Sequence, residues 1–184
     1  MAAPAFVNVG AHANGTNAVT PALPANLQTD DILILWIEKS EEPNAATLSN
    51  QNGGTWTLVG SQGSTAAATM LTVFWSRYNG TQGNPTVADP TNHLNCRIIA
   101  YRGCPTTGNP WDNTAFAGDT LPPAITTTGS DRLVLGLICD DWDNTSTARY
   151  TFTNADLTAV TERADQGSIS GDGGGLGAAE GVRA

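Results

Sequence analysis

Between Asp31 and Glu38 the alternation of polar and apolar positions stops, and six large apolar residues follow one another: Ile32-Leu33-Ile34-Leu35-Trp36-Ile37. The run is too short to cross a membrane and is apolar on both alternating sets, so as a strand it needs cover on both faces. It predicts a central strand. Left exposed, an uncharged, proline-free segment of this β-propensity is an aggregation site, so the rest of the chain has to hide it.

Other segments read as strands around this one. Phe6, Val7 and Val9 alternate, residues 10–15 read as a turn, and residues 16–20 as a short second strand stopped by Pro21. Residues 21–30 form an extended crossover, and the charged stretch 39–44 with Pro43 a surface loop. Residues 56–59 predict a half-buried strand ended by Gly60. Residues 69–78 predict the longest strand, with Leu71, Val73 and Trp75 on one side and Met70, Phe74 and Tyr78 on the other, beside the central strand. Short 85–87, a turn at 90–92 and long 96–102 follow. Residues 104–119 form a long loop carrying Trp111 and Phe116, either functional or tied down by its own aromatics.

Residues 122–127 predict an edge strand and 132–139 a third long apolar run. Two weaker strands are expected at 150–152 and 157–163. The Gly-rich C-terminal segment from about Gly171 reads as flexible, and residues 176–183 only sketch a strand. A closing strand comparable to the earlier ones is not visible.

About eight to ten strands without helical periodicity predict an all-β fold, an antiparallel two-sheet β-sandwich that is jelly-roll-like, with residues 1–184 as one domain. Its core is expected to hold Ile34, Trp36, Val73, Trp75, Ile99 and Leu135. An immunoglobulin-type sandwich is disfavoured because its Cys, Trp, Cys pattern is absent.

Composition narrows the partners. The formal charge of −9, from 17 acids against 8 bases, repels phosphate backbones and anionic lipid, so no nucleic-acid or membrane partner is expected. The N-terminus has neither a basic n-region nor a long apolar h-region, and nothing in it directs secretion. Cys96, Cys104 and Cys139 are odd in number and lack CxxC spacing, which predicts reduced thiols in a protein made in a cytosol.

Candidate chemistry is sparse. A serine triad has only His12, in a turn, and His93, in an Asn-rich loop, to draw on, and no GxSxG motif surrounds any Ser. Thiol and paired-carboxylate catalysis find no better constellation, so no catalytic residue is assigned and the chain is read as a non-enzyme. The acidic corner Asp140-Asp141-Trp142-Asp143-Asn144 has the oxygen ligands calcium takes, which makes Asp140, Asp141 and Asp143 weak metal candidates. It lacks the calcium-loop pattern, and solvated Asx turns explain it as well. Trp36 and Trp75 belong to predicted strands. Trp111 and Trp142 lie in loops beside Asp and Asn, and are the candidate ligand or interface residues: stacked on a sugar ring, or folded back as plugs. Arg77, Arg97 and Arg102 read as paired on a solvent face.

The succession Val19-Thr20-Pro21-Ala22-Leu23-Pro24, Asp30-Asp31-Ile32-Leu33-Ile34-Leu35, Gly54-Thr55-Trp56-Thr57-Leu58-Val59-Gly60, Trp75-Ser76-Arg77-Tyr78, Asn84-Pro85-Thr86-Val87 and Ala100-Tyr101-Arg102-Gly103 resembles β-sandwich proteins of tailed-bacteriophage virions. That resemblance spans nearly the whole chain. It implies a structural virion protein, either a head decoration (cement) protein or a head-fibre, tail or tail-fibre component. Its partners would be other virion proteins and copies of itself, and its location the virion after synthesis in the bacterial host cytoplasm. The alternative is a receptor- or glycan-binding module of a tail or head fibre. The resemblance brings no catalytic residues. It does imply a last apolar strand after Arg183, so closure of the sandwich by this chain is in question.

Overall fold

The apolar run forms β3 (Ile32–Ser40) at the middle of the larger sheet in the computed structural model, which describes residues 2–40, 44–64, 68–88, 92–118 and 123–183. The other strands are β1 (Ala5–Val9), β2 (Ala13–Gly15), β4 (Leu48–Asn50), β5 (Thr57–Gly63), β6 (Thr69–Arg77), β7 (Thr86–Val87), β8 (Leu94–Arg102), β9 (Arg132–Asp140), β10 (Thr158–Ser168) and β11 (Gly174–Arg183). All pairings are antiparallel, and the described residues contain no helix. The all-β, antiparallel class is the one the hydrophobic pattern predicts.

Six strands make one sheet in the order β1-β8-β3-β6-β5, with β2 also on β8; β10-β11-β9 make a second, and β4-β7 a third. β3 is hydrogen-bonded on both edges, to β6 from Ile32↔Arg77 through Ser40↔Thr69 and to β8 from Ile32↔Tyr101 through Lys39↔Leu94. Both of its faces are covered as well. Leu33, Leu35 and Ile37 join Leu94, Cys96 and Ile98 under a cap of loops that brings Ala46, Trp56, Val87, Leu23 and Leu27. Ile34 and Trp36 point the other way, toward Val73, Ile99, Leu176 and Ala178 between the two larger sheets. At roughly 1.5–3 kcal/mol per buried large apolar side chain, this two-sided burial is what makes β3 the centre of the fold.

Of the expected core residues, Trp36, Val73 and Ile99 are buried between the sheets, and Ile34 and Leu135 pack against them half-buried. Trp75 is half-buried beneath Trp111. The long loop is tied down by its own aromatics: Trp111 meets Trp75 edge to face at 5.2 Å, and Phe116 lies over Gly60, where a Cβ would sit 2.6 Å from its ring. The β5 register shifts between Leu58 and Gly60, and the strand runs on through Gly60 instead of ending there.

Several local expectations are corrected. The second strand is residues 13–15, earlier than 16–20, where only Val19 bridges to Val87. Residues 123–127 are not a strand; Pro122 lies outside the described residues. Residues 150–152 are not a strand, and β4 was not foreseen.

The largest correction concerns the C-terminus. Its Gly-rich segment is neither a flexible tail nor a missing strand: β11 is the middle strand of its sheet, in unbroken register with β9 from Gly175↔Asp140 to Arg183↔Arg132. One face presents Leu176 and Ala178 to the core, and Glu180 to Tyr101 Oη at 2.6 Å and Arg163 Nη2 at 2.5 Å. The other face is nearly bare of side chains, and residues 149–157 fill it. A Cβ would lie 2.7 Å from Arg149 Cζ at Gly175, 2.8 Å from Tyr150 Cε2 at Gly177, and 2.9 Å from Leu157 Cβ at Gly181. Small residues there are space reserved for a neighbouring segment.

Candidate functional site

The two histidines set aside in the sequence meet at one pole of the molecule. The C-terminal end of β3 brings Glu38, the start of β6 brings Thr69, β8 brings Asn95 with His93 just before it, and β2 brings Asn14 with His12 beside it. Glu38, His93 and Asn95 are fully buried.

Their contacts form one chain of hydrogen bonds. Thr69 Oγ1 donates to Glu38 Oε1 at 2.8 Å, and Asn95 Nδ2 donates to Glu38 Oε2 at 3.0 Å. Asn95 Nδ2 also lies 2.7 Å from His93 Nε2, and His93 Nε2 lies 3.3 Å from Glu38 Oε2. Asn95 Oδ1 meets His12 Nε2 at 2.8 Å, and Asn14 Nδ2 meets His12 Nδ1 at 3.4 Å. Asn14 Oδ1 accepts from Ser168 and Ser170, each at 3.1 Å. His12 meets both of its contacts by donating from Nε2 and accepting at Nδ1, and Asn95 Nδ2 donates to Glu38, while His93 Nε2 faces both the Glu38 carboxyl and the Asn95 amide and its buried Nδ1 has no hydrogen-bond partner among the described residues.

Burial pushes the Glu38 carboxyl up from its ordinary range, opposed by the hydrogen bonds from His93, Thr69 and Asn95. Burial pushes His12 down to about 4, with Arg97 and His93 adding repulsion and Asn95 opposing it. The carboxyl is sealed by the β10–β11 turn. Gly174, at φ +136, lies against it so closely that a Cβ would stand 2.7 Å from Glu38 Oε2. Gly171 and Gly173 also have positive φ and pack against Asn92 and Asp143. The network therefore fastens the turn to the larger sheet, and no serine contacts a histidine in it.

Above this network lies an open depression lined by residues 14–19, Ser170 and Gly171. The neighbouring loop carries the acidic corner. Asp140 spends one carboxylate oxygen on Arg149 Nη2 and the Trp142 N–H, and the other on Tyr150 Oη at 2.7 Å. Arg149 Nη1 also donates to Asn144 O at 2.8 Å. Asp141 and Asp143 are exposed, and among the described residues no three His, Cys, Asp or Glu side chains converge on a metal position. Asp140 is thus an ion-pair anchor, and the three calcium candidates do not form a shared cradle.

The structure separates Trp111 from Trp142. Trp111 is the plug described above. Trp142 is 62% exposed, its backbone N–H held by Asp140 Oδ1 at 3.0 Å and its C=O by Arg149 Nη2 at 2.7 Å, with the guanidinium 5.5 Å from its ring centroid. Ile169, equally exposed in the β10–β11 turn, was not singled out in the sequence. Nor was the network, although a signal was present: His12-Ala13-Asn14 and His93-Leu94-Asn95 repeat one His-x-Asn pattern, and Asn14 pairs directly with Asn95 across β2 and β8. Cys96, Cys104 and Cys139 are free thiols, each pushed up by burial, Cys104 to about 11. They are not poised as nucleophiles.

Comparison with family models, curated proteins and solved structures finds no match for this chain.

Proposed function

We propose that the chain is a non-enzymatic structural module of a tailed-phage virion, a surface decoration (cement) protein or a fibre or tail component. It would be made in the bacterial cytoplasm and assembled in repeated copies against other virion proteins. The observation that carries this reading is the fastening of the described loops onto the sheets. Trp111 docks on Trp75, Phe116 on Gly60, residues 149–157 on the bare face of β11, and the β10–β11 turn on the Glu38 network. Rigid loops suit a part that must keep its shape in an assembly, and the buried Glu38 and His93 are bonded within the network. The charge of −9 suits a position outside a shell packed with nucleic acid.

Electron microscopy of assembled particles carrying an affinity label at the N-terminus of this chain tests the proposal. Label in a regular repeat on the head or tail is expected. Particles without label, with the protein left in the soluble fraction, would overturn it.

A further inference from the structure

We propose that Trp142, with Asp141 and Asp143, is a platform for one ring of a neutral saccharide. This is a binding role distinct from assembly, and it does not depend on the virion reading. Trp142 is anomalous in a chain that hides its other aromatics: Trp36 and Trp56 are buried, and Trp75 and Trp111 cover each other. A ring left in water on a floppy loop would be unremarked. Here the backbone that carries the ring is fixed, because both backbone polar groups of Trp142 are bonded within the Asp140–Arg149 pair, and the buried Arg149 side chain brings its guanidinium to 5.5 Å from the ring centroid. An aromatic surface already ordered loses little entropy on binding.

The flanking groups select the ligand class. Asp141 and Asp143, the chain neighbours of Trp142, are exposed and have no hydrogen bond or ion pair among the described residues, which leaves their carboxylates as acceptors on the same loop. Ring C–H groups on an aromatic face and hydroxyls on carboxylates are the two contacts a hexose offers together. An anionic sugar is opposed by the two carboxylates and the net charge. An organic cation is the competing occupant, drawn by the same carboxylates. Against it, the Arg149 guanidinium already stands over the Trp142 ring, and a second cation on that ring would meet like charge. A neutral saccharide does not.

The test uses the purified full chain and NMR of the tryptophan indole N–H signals. It is titrated with a panel of neutral hexose and N-acetylhexosamine oligosaccharides and, separately, with choline, each to about 10 mM, where even millimolar affinity registers. Shifts confined to the Trp142 signal with at least one oligosaccharide are expected. They should vanish in Trp142→Ala, weaken about tenfold in the Asp141→Asn/Asp143→Asn double variant, and persist in Trp111→Phe. Binding by choline alone, saccharide binding that survives Trp142→Ala, or no response to any panel member would each overturn the proposal. Unchanged indole signals from the buried tryptophans in every variant verify that the fold is intact.

Discussion

β3 and β11 are both central strands, each flanked by two partners and buried along most of its length, yet they are built from opposite materials. β3 brings its own volume, with Leu33, Leu35 and Ile37 filling one layer and Ile34 and Trp36 the other. β11 contributes volume on one face and withholds it on the other, where Gly175, Gly177 and Gly181 receive Arg149, Tyr150 and Leu157. Burial is therefore not a property of large side chains alone. A strand of glycines is buried when its neighbours are cut to fit it.

The largest break in this comparison is expected at β3. Trp36→Ala leaves a large cavity between the sheets, and we predict a loss of about 3–5 kcal/mol, read as a shift of the denaturant midpoint. Unchanged unfolding would show that Trp36 is not what the two sheets close upon.

At β11 the opposite error should hurt. Gly177→Ala adds a methyl where the Tyr150 ring already lies, and overpacking should cost about 1–3 kcal/mol. Combining it with Tyr150→Ala should cost less than the two single changes summed, because the clash with the ring is then gone and only Ile138 Cγ2, 2.8 Å from the added methyl, still crowds it. Strict additivity in that double-mutant cycle would mean the glycines serve something other than the 149–157 segment.

The polar network that fastens β11 to β3 should give two opposing pH dependences. His12 is pushed down in the folded protein from 6.5 to about 4, so the unfolded chain binds that proton more tightly. Its contribution to stability is full above about pH 6.5 and is lost as pH falls toward 4. Glu38 is pushed up, so the folded protein binds its proton more tightly. That contribution is present below the ordinary carboxylate range and is lost as pH rises through the folded value. Melting temperatures across this range should therefore fall less on acidification in His12→Asn, and fall less toward neutral pH in Glu38→Gln, than in the parent chain. Superimposable profiles for all three would show that the network carries no linkage.

The smallest stability effect is expected at Trp142. Trp142→Ala removes a mostly exposed ring and should change stability by no more than about 0.5 kcal/mol in thermal melts. A loss of several kcal/mol would make the ring a structural prop for Arg149 and not a free surface.

What was legible in the sequence follows the same division. β3, β6, β8 and β9 were visible because each carries its burial in its own apolar residues, and their ends fall within a few residues of the predicted ones. β11 was misread as a flexible tail because glycine records no partner. The partners are Tyr150, about 27 residues upstream, and Leu157, and only their packing gives the glycines a meaning. For the loop at 104–119 the sequence left two readings open, functional or tied down by its own aromatics, and the contacts of Trp111 with Trp75 and of Phe116 with Gly60 are those of the second. The acidic corner was left open between weak calcium ligands and Asx turns, because the sequence shows three aspartates together but not the Arg149 that pairs with the first of them.

The sequence by itself determined the all-β class, the central position of the Ile32-to-Ile37 run and the acidic character of the surface, since each depends on local composition or on the two-residue period of a strand. Only the tertiary structure decided that His12 and His93 share one network, that Asp140 is an anchor while Trp142 stays exposed, and that β11 is a strand in mid-sheet. Each of these rests on contacts between segments far apart in the chain, where the identity of a residue says what it can bind but not what folding places beside it.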